Sequence, residues 1–311
     1  MSDCGRVVSV NVSEKKGTIK HPTDEITIGS TGVVDDAHAG FWHRQVSLLS
    51  QERIDTFIAA TGRDIGPGEF AENITVGDLD LTRAAILDRF TIGNVELEVS
   101  QIGKECHGDQ CAIFREVGKC IMPTEGLFAR VIEGGTVRSG DGIALTERPL
   151  KILLITLSDR AAAGQYSDRS GPRAREVLEQ FLAPKRWHGD IEAVLLPDDA
   201  EELGRRLTGA VDDGVDAVFT LGGTGIGPRD IAPETVLAIC DKTIPGIMEH
   251  IRVTFGAKHP SVLLSRSVAA LAGMTQIYTL PGSVRAVEEY MEEILKTLEH
   301  ALFMVHGLDM H

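Results

Sequence analysis

Two aspartates, Asp198 and Asp230, each stand just past the end of an apolar run, and a pair of carboxylates so placed could bind Mg²⁺, a hard cation that prefers oxygen donors. Asp230 closes the segment 221–230, Leu-Gly-Gly-Thr-Gly-Ile-Gly-Pro-Arg-Asp. Glycine adopts positive φ freely and lets a ligand approach backbone amides, so Gly222, Gly223, Gly225 and Gly227, with Thr224, could cradle a phosphate beside Arg229. Two familiar phosphate loops are excluded. The dinucleotide fingerprint needs a glycine where this chain has Pro228, and the P-loop needs Gly-Lys-Ser/Thr where it has Gly227-Pro228-Arg229. The alternative reading is a tight turn without a ligand. Each aspartate taken singly also reads as a turn or N-cap residue.

The elements that must position these groups alternate. Apolar runs at 152–157, 191–196, 215–221 and 276–280 read as strands, and the stretches 172–182, 200–211, 233–240 and 245–255 read as helices. That order implies right-handed βαβ units and a mainly parallel sheet covered on both faces, a three-layer α/β domain. Ligands of open α/β sheets bind beyond the carboxyl ends of the strands. Each end is followed by a polar motif: Ser158-Asp159-Arg160, Pro197-Asp198-Asp199, the glycine turn, and Pro281-Gly282-Ser283 at a helix start. Asp198 and Asp230 with Mg²⁺ would neutralise an α-phosphate in nucleotidyl transfer, while Arg229 and the helix start at Ser283 would hold anionic groups. The last helix carries an apolar stripe through Val287, Met291, Ile294, Leu298 and Leu302, and Glu288, Glu289, Glu292, Glu293 and Glu299 are expected to face water. His306 and His311 read as a solvated tail.

The segment Glu147-Arg148-Pro149-Leu150 separates this pattern from a different one, giving expected domains at 1–147 and 148–311. The first domain reads as mostly β, a barrel or strongly curled sheet, with hairpins at Gly93-Asn94 and Gly134-Gly135 and a helix over 51–60 capped by Ser50. Its chemistry-bearing residues fall in two places: His38, His43 and Arg44, and Cys106-His107 with Cys111 and Cys120. The cysteines allow three readings. They are small core residues, a Zn site with unusual spacing, or a reactive thiol at Cys106 activated by Lys104.

Composition is that of a globular protein, 42% hydrophobic and 25% charged. The net charge of −15 is spread over both halves, with 15 Lys/Arg against 23 Asp/Glu in residues 1–149 and 16 against 23 in 150–311. An acidic chain without a basic arm argues against nucleic acid or an anionic membrane as partner. The first residues lack the charge and apolar core of a signal peptide, and five cysteines are an odd number, so the expectation is a cytoplasmic protein without a disulfide framework.

Residues 158–161, Gly164, Tyr166, Asp168, Pro197-Asp198, the glycine turn through Glu234, Leu264-Ser265-Arg266 and 280–283 occur in the order found in the MogA/MoaB family, which the second domain resembles over nearly its whole length. The resemblance implies adenylylation of molybdopterin by ATP with release of pyrophosphate, Asp198 and Asp230 in catalytic positions, and Ser158, Asp159, Arg160, Ser265, Arg266, Pro281, Gly282 and Ser283 among the residues that bind substrate or nucleotide. It also implies a homotrimer or hexamer. In the first domain His38-Ala39-Gly40, residues 43–47, 67–70, 72–75 and 101–106, Met122-Pro123, Gly126, Arg130-Val131 and Gly140-Asp141 resemble the MOSC domain of molybdenum-cofactor sulfurases. That likeness implies ligand binding by His38, His43, Arg44, Asn73 and Arg130, and a Cys106 that carries sulfur or contacts the cofactor. Together the two imply a bifunctional molybdenum-cofactor protein, with molybdenum or tungsten as the metal and other biosynthetic proteins and recipient molybdoenzymes as partners. A non-catalytic pterin carrier and a MOSC-centred sulfur transferase are the rival readings.

Overall fold

The computed structural model describes residues 4–105 and 120–308. The chain divides into two compact units, Met1–Arg148 and Pro149–His311.

The first unit contains β1 (Cys4–Val12), β2 (His21–Thr23), β3 (Glu25–Gly29), β4 (Gly32–Val33), β5 (Val46–Ser50), α1 (Gln51–Thr61), β6 (Ile74–Gly77), β7 (Arg89–Ile92), β8 (Val95–Ile102), α2 (Met122–Glu125), β9 (Leu127–Glu133), β10 (Gly135–Arg138) and β11 (Gly142–Thr146). Seven strands run in the order β11-β7-β8-β9-β5-β6-β1, and β1 pairs back onto β11, so the sheet closes into a barrel. Alternation drives this: Phe90 and Ile92 of β7 point inward and Arg89 and Thr91 outward, which places one face against Val10, Leu48, Ile74 and Leu97. Ser50 caps α1, its side chain accepting from the Arg53 amide.

The turn at Gly93-Asn94 joins β7 to β8 in register, Ile92 opposite Val95. The expected hairpin at Gly134-Gly135 does not form. There the chain leaves the barrel: β9 pairs with β5 and β8, whereas β10 pairs with β3 in a separate three-stranded sheet. A Cβ on Gly134 would lie 2.4 Å from the Ile28 carbonyl oxygen, so the glycine serves a close backbone crossing and no tight turn.

The second unit contains β12 (Pro149–Leu157), α3 (Asp159–Ala162), α4 (Ser170–Leu182), β13 (His188–Leu196), α5 (Ala200–Asp212), β14 (Ala217–Leu221), α6 (Ala232–Ile239), β15 (Lys242–Thr243), α7 (Pro245–Gly256), β16 (Ala269–Ala272), β17 (Thr275–Leu280) and α8 (Val284–Val305). Its sheet is mixed, in the order β13-β12-β14-β17-β16-β15. The pairings among β13, β12, β14 and β17 are parallel, and β16 and β15 add antiparallel at one edge. Successive residues of β12 serve opposite faces. Ile152 and Leu154 pack with Leu178 of α4 and Met291 and Ile294 of α8, while Leu153 and Ile155 pack with Leu203 and Leu207 of α5 and Val236 of α6.

Three expectations about α8 and the tail change. The Glu289 and Glu293 side chains are 17% and 11% exposed and do not face water: Arg285 pairs with Glu289, and Lys296 and His250 pair with Glu293. The stripe is wider than expected because Tyr290 and Phe303 join it. His306 is no solvated tail; its side chain is 11% exposed, with Nε2 3.7 Å from Asp216. His311 lies outside the described residues.

Candidate active site

Register brings the functional loops together. Leu157 is level with Leu196, Thr156 with Leu221, and Leu221 with Leu280, so four strands end side by side and four polar loops leave from one edge. Ser158 follows β12, its hydroxyl accepting from the Ala161 amide and lying 2.9 Å from the Tyr166 hydroxyl. Asp159 and Asp198 clasp each other across β12 and β13. The Asp198 amide donates to Asp159 Oδ1 at 2.9 Å, and the Asp159 amide donates to Asp198 Oδ2 at 3.3 Å. Arg229 reaches from the glycine turn to Asp159 Oδ2 at 3.4 Å. Together with Ser158, Arg160, Asp230 and the backbone of Gly222, Gly223 and Gly282, these residues line a cleft of about 350 Å³.

The glycines between β14 and α6 have separate reasons. Gly222 sits at φ +117°, and a Cβ there would lie 2.5 Å from the Leu157 carbonyl oxygen; Gly223 sits at φ +63°. Both conformations belong to glycine. Gly225 and Gly227 wrap the Asp230 carboxylate, where Cβ atoms would come within 2.8 and 3.0 Å of Oδ2, and that oxygen accepts from the Gly227 amide at 2.7 Å. Asp230 thus plays the turn role open to it in the sequence. It also lines the cleft, and among the described residues no donor reaches its other oxygen.

A second cleft of about 430 Å³ shares Gly223, Asp230 and Gly282 with the first. Thr224, Gly225, Ser265, Pro281 and Ser283 line it, and Ser283 also caps α8 through the Ala286 amide at 3.3 Å. Glu289 and Tyr290 line it as well, and neither is apparent in the sequence, where Glu289 reads as a surface residue. Glu289 Oε2 and the Tyr290 hydroxyl have no hydrogen-bond partner among the described residues. Arg266 does not line either cleft; its guanidinium lies against the carbonyl side of the glycine turn. Asp199 is the N-cap of α5, accepting from the Glu202 amide at 2.8 Å.

In the first unit the expected ligand residues are engaged with different partners. Asn73 is consumed by structure: Oδ1 accepts from the Ser47 amide and hydroxyl, and Nδ2 donates to the Asn11 carbonyl. Arg130 pairs with Glu98 at 2.6 Å. The Arg44 guanidinium lies 4.7 Å over the Trp42 ring, and the His43 carbonyl accepts from Ser100. His38 belongs to a cluster that the sequence did not reveal. Lys20 and Asp36, each 1% exposed, form a buried ion pair, and Lys20 Nζ lies 3.3 Å from His38 Nδ1. Burial alone would raise the Asp36 carboxyl, but His38 and Lys20 hold it well below the usual range, while burial lowers the Lys20 ammonium. No motif marks Lys20, which follows Lys15 and Lys16 in a polar stretch and is not set apart from them by type. Cys106, His107 and Cys111 lie outside the described residues; Cys120 is half-buried.

Comparison with known proteins bears on both units. Residues 153–300 match the family model described as a probable molybdopterin binding domain, and residues 35–144 match that of the MOSC domain. Over 146 residues the chain is 37% identical to a molybdopterin adenylyltransferase of Haemophilus influenzae, covering 47% of this chain and 73% of that protein. The chain belongs to the molybdopterin-binding domain family. Its adenylyltransferase relative from Helicobacter pylori is 32% identical over 160 residues, 51% of this chain and 89% of that protein. A molybdenum cofactor biosynthesis bifunctional protein of Chlorobaculum tepidum is 29% identical over 171 residues, 55% of this chain and 53% of that protein. The family match spans β12 through most of α8 and so includes all four loops around the two clefts, and the MOSC match includes Asp36 and His38 but not Lys20.

Proposed function

We propose that this chain acts in molybdenum cofactor biosynthesis: its second unit, taken as residues 148–311 with a three-layer arrangement around the sheet, transfers the adenylyl group of ATP to molybdopterin. The observation that carries the reading is the pair of clefts with a common wall at Gly223, Asp230 and Gly282. Two substrates lying in adjoining clefts meet at that wall, which supplies the proximity a bimolecular transfer needs. The first cleft, with Arg160 and Arg229, suits a triphosphate. The second is less polar and has room for a pterin.

In the transfer a phosphate oxygen of molybdopterin attacks the α-phosphorus of ATP, the P–O bond to the β-phosphate breaks, and pyrophosphate leaves with that electron pair. Asp198 and Asp230 fit a divalent cation by donor type: each spends one oxygen on a backbone amide, which aims the carboxylate. Mg²⁺ bound there would supply charge neutralisation at the phosphates. The glycine-turn amides and Arg229 would take up charge that develops on the non-bridging oxygens.

The first unit, residues 1–147, we assign to handling the cofactor, its molybdenum or tungsten, or sulfur, with Cys106 as the sulfur-bearing candidate. Trimers or hexamers, and delivery to recipient molybdoenzymes, follow from the same family reading.

The test is incubation of the purified chain with molybdopterin, ATP and Mg²⁺, and mass spectrometry of the pterin. Adenylylated product from the wild type and none from the Asp198→Asn/Asp230→Asn double variant is the expected result. Tight pterin binding without product would replace the transferase with a carrier.

A further inference from the structure

Arg266 lies in the loop before β16, far in sequence from the glycine turn, yet most of its hydrogen-bonding capacity is spent there. Its amide donates to the Thr224 carbonyl at 2.9 Å. Its Nε donates to the Gly225 carbonyl at 2.6 Å and its Nη2 to the Asp230 carbonyl at 2.9 Å, while Nη1 pairs with the Glu234 carboxylate in the first turn of α6. One planar fork therefore holds both ends of the turn and the helix that follows it. Resting on the adenylyltransferase reading above, we propose that Arg266 is a positioning residue: it sets the direction of the turn's peptides and the place of Asp230 and does not itself grip substrate.

In a trans peptide the C=O and the following N–H point in opposite directions. Holding the Thr224, Gly225 and Asp230 carbonyls toward Arg266 therefore turns the amides of Gly225, Ile226 and Ile231 away from it. Glycine-rich backbone has little directional preference of its own, so these amides are aimed only if something outside the turn aims them. Asp230 is tied at three points, its carbonyl to Arg266, its Oδ2 to the Gly227 amide and its own amide to the Gly227 carbonyl at 3.1 Å, and the common wall of the two clefts is fixed with it. Three of the five guanidinium N–H donors are spent on the Gly225 and Asp230 carbonyls and on Glu234, which fixes the plane of the fork against the turn and away from both clefts. Lysine cannot substitute, because a single ammonium lacks the planar fork that reaches Gly225, Asp230 and Glu234 together.

The experiment compares the full chain with Arg266→Ala, Arg266→Lys and Glu234→Gln. Three quantities are read: amide hydrogen exchange over residues 222–231, dissociation constants for ATP·Mg²⁺ and for molybdopterin, and the single-turnover rate of adenylyl transfer. Positioning predicts exchange in the turn about tenfold faster or more in Arg266→Ala, with β12 and β14 unchanged, and an intermediate effect in the other two variants. It also predicts a transfer rate about 10- to 100-fold lower while both dissociation constants stay within about threefold. A dissociation constant that rises in step with the loss of rate, with turn exchange unaltered, would overturn it and make Arg266 a substrate ligand. Unchanged turn exchange alone also overturns it. If the wild type transfers nothing, the adenylyltransferase reading falls while the exchange comparison still decides the role of Arg266. If Arg266→Ala does not fold, Arg266→Lys and Glu234→Gln carry the test.

Discussion

Gly222 shows how much of the site depends on a missing side chain. It combines a φ of +117° with a Cβ position 2.5 Å from the Leu157 oxygen, and Gly282 packs against its Cα. Gly222→Ala must therefore move either β12 or the Pro281-Gly282 loop, at a cost of about 2 kcal/mol or more in urea unfolding. Adenylyl transfer should fall further than stability alone explains, since the displaced backbone is the floor of the first cleft. At Lys20 and Asp36 the relevant effect is desolvation. Lys20→Met removes the ammonium from the buried Asp36 carboxylate, leaving it only His38 and the Ser13 and His38 amides, and should cost about 3 kcal/mol, whereas the double change Lys20→Met/Asp36→Leu should cost far less than the sum of the singles. A double-mutant cycle on the unfolding of the first unit checks this, and additive losses would show that the pair is not coupled.

At the scale of elements, Asp168 joins α4 to β12. Its carboxylate accepts from the Thr156 hydroxyl at 2.7 Å, from the Ser170 hydroxyl and amide, and from the Gly171 amide. Burial pushes this carboxyl up, but those donors outweigh it and hold it below the usual carboxylate range. A depressed folded value means that the unfolded chain binds the proton more readily, so this stabilisation is complete above an unfolded pKa of about 3.9 and is lost as pH falls through the folded value. Unfolding measured between about pH 5 and pH 2 should show a shallower acid dependence in Asp168→Asn than in the wild type. At the crossing between β9 and β10, Gly134→Ala should destabilise the first unit by about 2 kcal/mol or more, because backbone and not a side-chain tip blocks the added methyl.

These two elements also mark the limit of what sequence conveys. The barrel, α1, four of the six strands of the second sheet and the four loops at one edge were legible, because alternation, β-branched runs and glycine placement are local signals. Gly134-Gly135 has the composition of a hairpin, and only the position of Ile28, more than a hundred residues earlier, makes it a crossing. The strand Ala269–Ala272 is mostly alanine and carries no β signal. Glu289 and Glu293 occupy the polar side of a helical wheel and are covered by Arg285 at i,i+4, by Lys296 at i,i+3 and by His250 of α7; helical spacing offers the first two pairings, and only the fold brings His250 onto Glu293. At the site, residue types and chain order pointed to the two aspartates and the glycines. The clasp between Asp159 and Asp198 required the register of β12 on β13.

At the scale of the molecule, each unit has its own cores, one set among the strands of the barrel and the other on the two faces of the mixed sheet. Fragments 1–148 and 149–311 should each show a cooperative calorimetric transition, and the second should retain ATP binding within about threefold of the whole chain. Failure of 149–311 to fold alone would mean that the division into units is not a division in stability.

The level ends of β12, β13, β14 and β17 have a kinetic consequence. Three of these strands meet across connections of roughly 60 residues, and parallel pairing over such spans is slow because chain closure precedes any reward from contact. The two clefts come into being only when the last of these pairings is made, so no partly folded chain can hold both substrates. Nucleotide added during refolding would find nothing to bind until the end, and it would then act by slowing the way back.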